Sequence, residues 1–238
     1  TGVKNTGIGY QALYDSTTAS YNSAFGYQAL RSNTTGVRNV ALGYQSLYTN
    51  TTGGNNTGIG YYALYNNTES SENVAIGHQA LYTNTGFTLG RNVAVGTEAL
   101  YSNTSGVYNN AFGYQSMYNN TTGYYNSAFG PRSMLGNTTG ELNTAMGSRS
   151  LSVNTTGSSN VAIGNNSINC FQTGSFNTAV GKSSLLGAGS QCGRGSTYST
   201  GSYNTALGAE SLNNVTSGSN NVGIGYQSLY STTTEDNL

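Results

Sequence analysis

The sequence predicts an all-β protein, a parallel β-solenoid (β-roll) of 13 coils with 17 residues per coil. Two observations support this prediction: a glycine that follows a large apolar residue at a fixed spacing, and columns of similar side chains on either side of it. Ten of the 12 spacings between these anchor glycines are 17, and the other two are 19 and 27. The anchor glycines are Gly9, Gly26, Gly43, Gly60, Gly77, Gly96, Gly113, Gly130, Gly147, Gly164, Gly181, Gly208 and Gly225.

The two longer spacings indicate loop insertions in an otherwise regular repeat. They place insertions near 85–91 and 187–200 within a single repeat domain that covers residues 1–238. The chain has 34 glycines and 20 tyrosines, and its eight basic residues balance its eight acidic residues. A chain this polar offsets its ordering entropy only when stacked repeats share one core.

Each coil divides into a strand, a short second segment and a turn. The strand is N-[TSV]-A-[IFLV]-G, which alternates and should extend over about five residues. The segment that follows, typically Q-A-L-Y, is compatible with a second short strand or with a single helical turn. The coil closes through turn residues such as N-T-T-G at 33–36.

An asparagine stands four residues before every anchor glycine. In a parallel stack each side chain lies over its equivalent in the next coil, so these amides can form a hydrogen-bonded ladder. The predicted ladder consists of Asn5, Asn22, Asn39, Asn56, Asn73, Asn92, Asn109, Asn126, Asn143, Asn160, Asn177, Asn204 and Asn221.

The apolar residues suggest a thin core that needs partner chains. Each coil offers two large apolar residues for a core, one directly before the glycine and one four residues after it. The position two before the glycine is alanine or glycine, which lies on the opposite strand face and permits close approach by another backbone. We therefore expect the alanine face to pack against identical chains, with a monomeric solenoid as the alternative.

The strand sequences resemble those of a known family. N-V-A-I-G at 73–77 and 160–164, and N-S-A-F-G at 22–26, are similar to the N-S-V-A-I-G strands in the heads of trimeric autotransporter adhesins. That resemblance implies three chains around a common axis and a surface-binding role. The longer 17-residue form resembles repeats of phage tail-fibre and bacterial surface-fibre proteins, and it implies no catalytic residue.

Two tyrosine columns, one and five residues after the glycine, form the candidate binding stripe. Exposed aromatic side chains suit cell-surface glycans or proteins, although the rings could instead stack on one another and only rigidify the stack. The stripe consists of Tyr10, Tyr14, Tyr27, Tyr44, Tyr48, Tyr61, Tyr65, Tyr82, Tyr101, Tyr114 and Tyr118.

Two further pairs are notable. Cys170 and Cys192 are the only cysteines, and a disulfide between them would fasten the longer insertion and imply an oxidising compartment. Arg132 and Arg149 share the column two residues after the glycine. We expect both guanidinium groups to be solvated, with an anion site as the alternative.

These features predict a structural and adhesive segment of an extracellular or virion surface fibre, a homotrimer without cofactor. Balanced charge argues against nucleic-acid binding, and no apolar stretch is long enough for membrane insertion. A single histidine and the lack of paired acids argue against an enzyme or a metal site. The alternatives are an ice-binding solenoid, suggested by the Thr-Thr turns, and a monomeric spacer filament.

Overall fold

A computed structural model describes residues 2–86, 89–187, 192 and 198–230. Both predicted insertions therefore fall partly outside the described residues. The chain divides into two compact units, Thr1–Thr122 and Gly123–Leu238. Each unit is a parallel β-solenoid, and its described residues contain strands and turns but no helix.

Every described coil contributes one strand of three residues. In the first unit the strands are β1 (Thr6–Ile8), β2 (Ser23–Phe25), β3 (Val40–Leu42), β4 (Thr57–Ile59), β5 (Val74–Ile76), β6 (Val93–Val95) and β7 (Asn110–Phe112). In the second unit they are β8 (Ser127–Phe129), β9 (Thr144–Met146), β10 (Val161–Ile163), β11 (Thr178–Val180), β12 (Thr205–Leu207) and β13 (Val222–Ile224).

Within each unit, consecutive strands pair in parallel and in the register that the repeat predicts. Ala24 in β2 lies opposite Ala41 in β3, a shift of 17 residues. The two insertions lengthen the connection without changing this register, since β5 still pairs with β6 and β11 with β12. The 17-residue parallel solenoid is thereby confirmed.

The segment after the glycine is neither a strand nor a helical turn. Its residues alternate in backbone conformation, so that Gln28 and Leu30 have φ values of 55° and 49°. Such left-handed residues each cost about 1–2 kcal/mol when they are not glycine. Hydrogen bonds between coils offset that cost: Gln28 N donates to Tyr10 O at 2.8 Å, and Leu30 N donates to Ser46 O at 3.0 Å.

The anchor glycine is required by its backbone conformation and by its neighbours. Gly43 has a φ of 132°, a region that side chains rarely tolerate. A Cβ atom at Gly43 would lie 2.5 Å from the carbonyl oxygen of Gly60 in the next coil. Backbone contact between successive coils therefore leaves no space for a side chain at Gly43.

The expected orientation of the strand is wrong. The alanine column points into the core, where Ala24 and Ala41 have no exposed surface. The large apolar residue before the glycine points outward instead: Leu42 is 47% exposed, whereas Leu47, four residues after the glycine, is completely buried. The alanine face is thus the interior of the coil and not a surface for partner chains.

The narrow interior of the coil explains this orientation. A Cβ atom at Gly7, in the alanine column, would lie 3.4 Å from the Cδ1 atom of Leu13 in the same coil. The alanine or serine three residues after the glycine, such as Ser46, is also buried. One leucine therefore fills the space that the coil encloses, and only a methyl group fits opposite it.

Candidate functional site

The first tyrosine column forms a continuous stack through the first five coils. The ring centroids of Tyr10 and Tyr27 are 5.2 Å apart, and those of Tyr27 and Tyr44 are 5.0 Å apart with an angle of 7° between the planes. Tyr61 continues the stack, and His78 lies on Tyr61 at 5.4 Å. The single histidine thus substitutes for a tyrosine in the ladder.

The second tyrosine column is stacked even more regularly. Its rings, from Tyr48 through Tyr65, Tyr82 and Tyr101 to Tyr118, are separated by 5.0–5.4 Å with interplanar angles of 3–7°. Because both columns follow the coil spacing, each ring covers a face of its neighbour.

A cation replaces one ring near the start of this second column. The guanidinium carbon of Arg31 lies 5.3 Å from the ring centre of Tyr14 and 5.8 Å from that of Tyr48. Arg31 also pairs with Asp15 at 3.5 Å. A cation between two rings preserves the attraction along the column, because the ring faces are negative.

The column between the tyrosine ladders carries amides. Gln28 Nε2 donates to Gln11 Oε1 at 2.8 Å, and Gln45 Nε2 donates to Gln28 Oε1 at 2.6 Å. In the fourth coil this position is Tyr62, whose ring contacts Tyr44 of the first ladder and Tyr65 of the second. The two ladders and the amide column therefore share one surface.

Three tyrosines of this surface, Tyr62, Tyr65 and Tyr101, have a pKa above the ordinary value. A hydrogen bond with Tyr61 and the loss of surrounding water raise the pKa of Tyr62 to about 12. Burial within the stack, followed by repulsion from the neighbouring ring of Tyr48, raises the pKa of Tyr65 above its ordinary value. These phenols therefore stay neutral at physiological pH and act as hydrogen-bond donors and acceptors.

The stacking determines which parts of the tyrosine side chains a ligand can contact. Sugars stack on the faces of aromatic rings, but inside the ladders those faces are covered by other rings. The exposed parts are ring edges, phenol hydroxyls and glutamine amides. Tyr114, which is 46% exposed, belongs to the first column but is separated from His78 by Thr97. The stripe is thus a stiff polar surface that is suited to hydrogen bonding.

The predicted asparagine positions are buried, apart from half-buried Asn5, and their amides connect successive coils. The Oδ1 atom of Asn5 accepts hydrogen bonds from the backbone N and from Nδ2 of Asn22, at 2.9 and 3.2 Å. Asn22 Nδ2 also donates to Gly36 O at 2.9 Å. Each side chain therefore fixes the start of the next strand as well as the neighbouring turn.

A second asparagine ladder, seven residues after the glycine, is missing from the sequence-based prediction. Asn50 Nδ2 donates to Asn33 Oδ1 at 2.7 Å and to Gly53 O at 2.9 Å, and Asn67 repeats the pattern on Asn50. The sequence contains the evidence for this second ladder, because the asparagine of the N-T-T-G turn recurs at the same column in eight coils.

The two cysteines lie together in the second unit. Cys170 and Cys192 form a disulfide, with their Cα atoms 5.4 Å apart. Cys170 is buried in the coil, so the bridge attaches the insertion to the solenoid wall at this point.

The Thr-Thr turns use one hydroxyl internally. Thr34 Oγ1 donates to Thr51 O at 3.1 Å, and Thr51 Oγ1 donates to Thr68 O at 3.0 Å. The hydroxyl of the first threonine in each of these pairs is therefore used in a hydrogen bond to the next coil. Only the second, such as Thr35, is fully turned to water.

Other kinds of site are absent from the part of the chain that the structure describes. It contains no group of three or more histidine, cysteine or acidic residues placed to hold a metal ion. It also contains no helix with the length and apolar character needed to cross a bilayer. No protein-family model, no curated protein and no solved structure matches this chain.

Proposed function

We propose that the chain is a structural and adhesive segment of an extracellular or virion surface fibre, built as a homotrimer and without catalytic activity. One observation carries the proposal: the outer strand face of each unit carries an unbroken row of large apolar residues beside a row of threonine, serine, asparagine and valine. The position before the glycine is a large apolar residue in all 13 coils, and no charged residue stands two positions earlier on the same face. Its most exposed members include Ile8, Leu42, Met146, Leu207 and Ile224.

A second copy of the chain is the best complement to this face. Apolar patches of this kind mark interaction surfaces in soluble proteins. An identical chain presents the same residues at the same coil spacing, so the apolar rows of the two copies remain in register along each unit. Trimeric packing then buries the outer strand face and leaves the tyrosine stripe, beyond the anchor glycine, available for contact with a cell-surface glycan or protein.

Two further observations agree with an exposed fibre. The disulfide between Cys170 and Cys192 is typical of oxidising compartments outside the cytoplasm. The two asparagine ladders and the stacked tyrosines repeat the same contacts in each coil, which gives a stiff stack without requiring a large core.

Light scattering on the full chain after size-exclusion chromatography tests the proposal. We expect a mass of three chains, and a monomeric mass would contradict it. Replacing Leu42 and Ile76 together by lysine places two charges on the apolar face and should yield monomers with an unchanged circular dichroism spectrum. The matched control replaces the exposed Thr35 and Thr52 by lysine, which adds the same charge on the turns and should leave the trimer intact.

A further inference from the structure

The second unit contains a groove in the columns that carry glutamine and the second tyrosine ladder in the first unit. Its volume is about 490 Å³. One side consists of residues two positions after the anchor glycines, and the other consists of residues five or six positions after them. The residues that matter most for its chemistry are Arg132, Arg149, Ser152, Asn166, Asn169 and Ser183.

The groove exists because the second tyrosine ladder is interrupted. In the first unit the position five after the glycine holds rings such as Tyr65 and Tyr82. In the second unit the same position holds Ser152 and Asn169, which are each only 9% exposed and far smaller than tyrosine. The missing rings leave an open space between this column and the column of Arg132 and Arg149.

Arg132 and Arg149 line this space from successive coils. Arg132 and Arg149 follow Gly130 and Gly147 by two residues, so their backbones are about 4.8 Å apart. No described residue forms an ion pair with Arg149, and none of the described residues that line the groove is acidic. Arginine presents a planar set of donors that matches carboxylate and sulfate groups.

The remaining lining combines hydrogen-bonded polar side chains with apolar ones. The Ser152 hydroxyl donates to Asn169 Oδ1, and Asn169 Nδ2 donates to Asn166 Oδ1 at 3.5 Å. Leu135 and Leu186 provide the apolar walls. Amides and hydroxyls beside aliphatic surface are suited to the hydroxyl groups and the C–H faces of a sugar ring.

We propose that this groove binds an acidic saccharide, with a carboxylate or sulfate group held by Arg132 and Arg149 and sugar hydroxyls held by Asn166, Asn169 and Ser183. Cys192 also lines the groove, and its disulfide to Cys170 holds that part of the wall in place. The proposal goes beyond the fibre role, since a trimer without this binding activity would still be a fibre segment.

Isothermal titration of the full chain with defined oligosaccharides tests the groove. The ligands are a sulfated heparin oligosaccharide, a carboxylated oligogalacturonate, a neutral dextran oligosaccharide and inorganic sulfate. We expect binding of at least one acidic oligosaccharide, weakened by added salt, and at least tenfold weaker binding of the neutral one. Equal binding of the neutral ligand, no binding of either acidic oligosaccharide, or equally strong binding of inorganic sulfate would overturn the proposal.

Two variants locate the binding. Arg149→Gln introduces the residue that this column carries in coils such as that of Gln28, and it should reduce affinity for the acidic oligosaccharide at least tenfold. Asn169→Tyr restores the tyrosine of the ladder and should block the groove. The control Arg38→Gln removes the same charge from the first unit and should leave binding unchanged. Unaltered binding by Arg149→Gln and Asn169→Tyr would show that the ligand lies elsewhere and would contradict the proposal.

Discussion

The second asparagine ladder stops where Asn154 meets Phe171. Asn154 Nδ2 donates to Asn137 Oδ1 at 2.8 Å, as in the preceding coils. One coil later the equivalent position is Phe171, which is fully buried and has no amide to donate. The Oδ1 atom of Asn154 is consequently buried without a hydrogen-bond partner. The described part of this ladder in the second unit therefore ends in one unpaired acceptor.

The first prediction compares one substitution at two positions in this ladder. Asn50→Ala removes two donated hydrogen bonds and the one that Asn50 accepts from Asn67. Asn154→Ala removes two donated bonds together with an acceptor that is already unpaired. Because an unsatisfied buried partner costs about 1–3 kcal/mol, Asn50→Ala should destabilise by at least 1 kcal/mol more than Asn154→Ala. Urea unfolding followed by circular dichroism measures the difference, and equal losses would contradict the ladder energetics.

The second prediction concerns the anchor glycine. Gly43→Ala places a Cβ atom 2.5 Å from Gly60 O at a φ of 132°, and should cost several kcal/mol in the free energy of unfolding or prevent folding of the first unit. Gly7→Ala is the matched control, since its Cβ atom meets no neighbour closer than 3.4 Å and other coils have alanine there. The control should be neutral or stabilise by up to about 1 kcal/mol. Thermal unfolding distinguishes the two, and a tolerated Gly43→Ala would refute the close-approach argument.

The sequence was sufficient to predict the coil length and the parallel register. It was not sufficient to orient the strand. Alternation shows that Ala41 and Leu42 point to opposite faces, but it cannot show which face is inside. That depends on how wide the interior of the coil is, and the width follows from the three-dimensional path of the backbone and not from the alternation of residue types. Hydrophobicity favoured Leu42 for the core, yet Leu47 already fills it.

The sequence columns also predicted only part of the candidate site. The columns predict that the rings of Tyr48 and Tyr65 lie over one another, and the structure places them 5.2 Å apart. They do not show that stacking covers the ring faces, because that depends on side-chain torsion angles. The groove beside Arg149 was also beyond the sequence-based analysis, since it arises from what is missing at Ser152 and Asn169.

The third prediction is a loss of stability at alkaline pH. The pKa of Tyr62 is raised in the folded protein to about 12, against about 10 in an unfolded chain. The folded state therefore holds the proton more tightly, so the stabilising contribution is complete below about pH 10 and is lost as the pH rises towards about 12. An ultraviolet titration of tyrosinate should show a late step whose amplitude Tyr62→Gln reduces by one tyrosine, since the pKa of Tyr65 is raised as well. Tyr226→Gln, in a tyrosine with no stacking partner among the described residues, should leave that late amplitude unchanged, and an unchanged late amplitude in Tyr62→Gln would contradict the assignment.

The fourth prediction concerns the disulfide. Cys170 and Cys192 are 22 residues apart in sequence, and a cross-link over a loop of that size stabilises by about 3 kcal/mol. In a stacked repeat the loss should remain local, because each coil contacts only its neighbours. Replacing both cysteines by serine should therefore accelerate amide hydrogen exchange at Ser199, whose N–H donates to Cys170 O at 2.9 Å. The amide of Leu47 in the first unit should keep its wild-type protection, whereas equal acceleration at both amides would show that the bridge stabilises the chain globally.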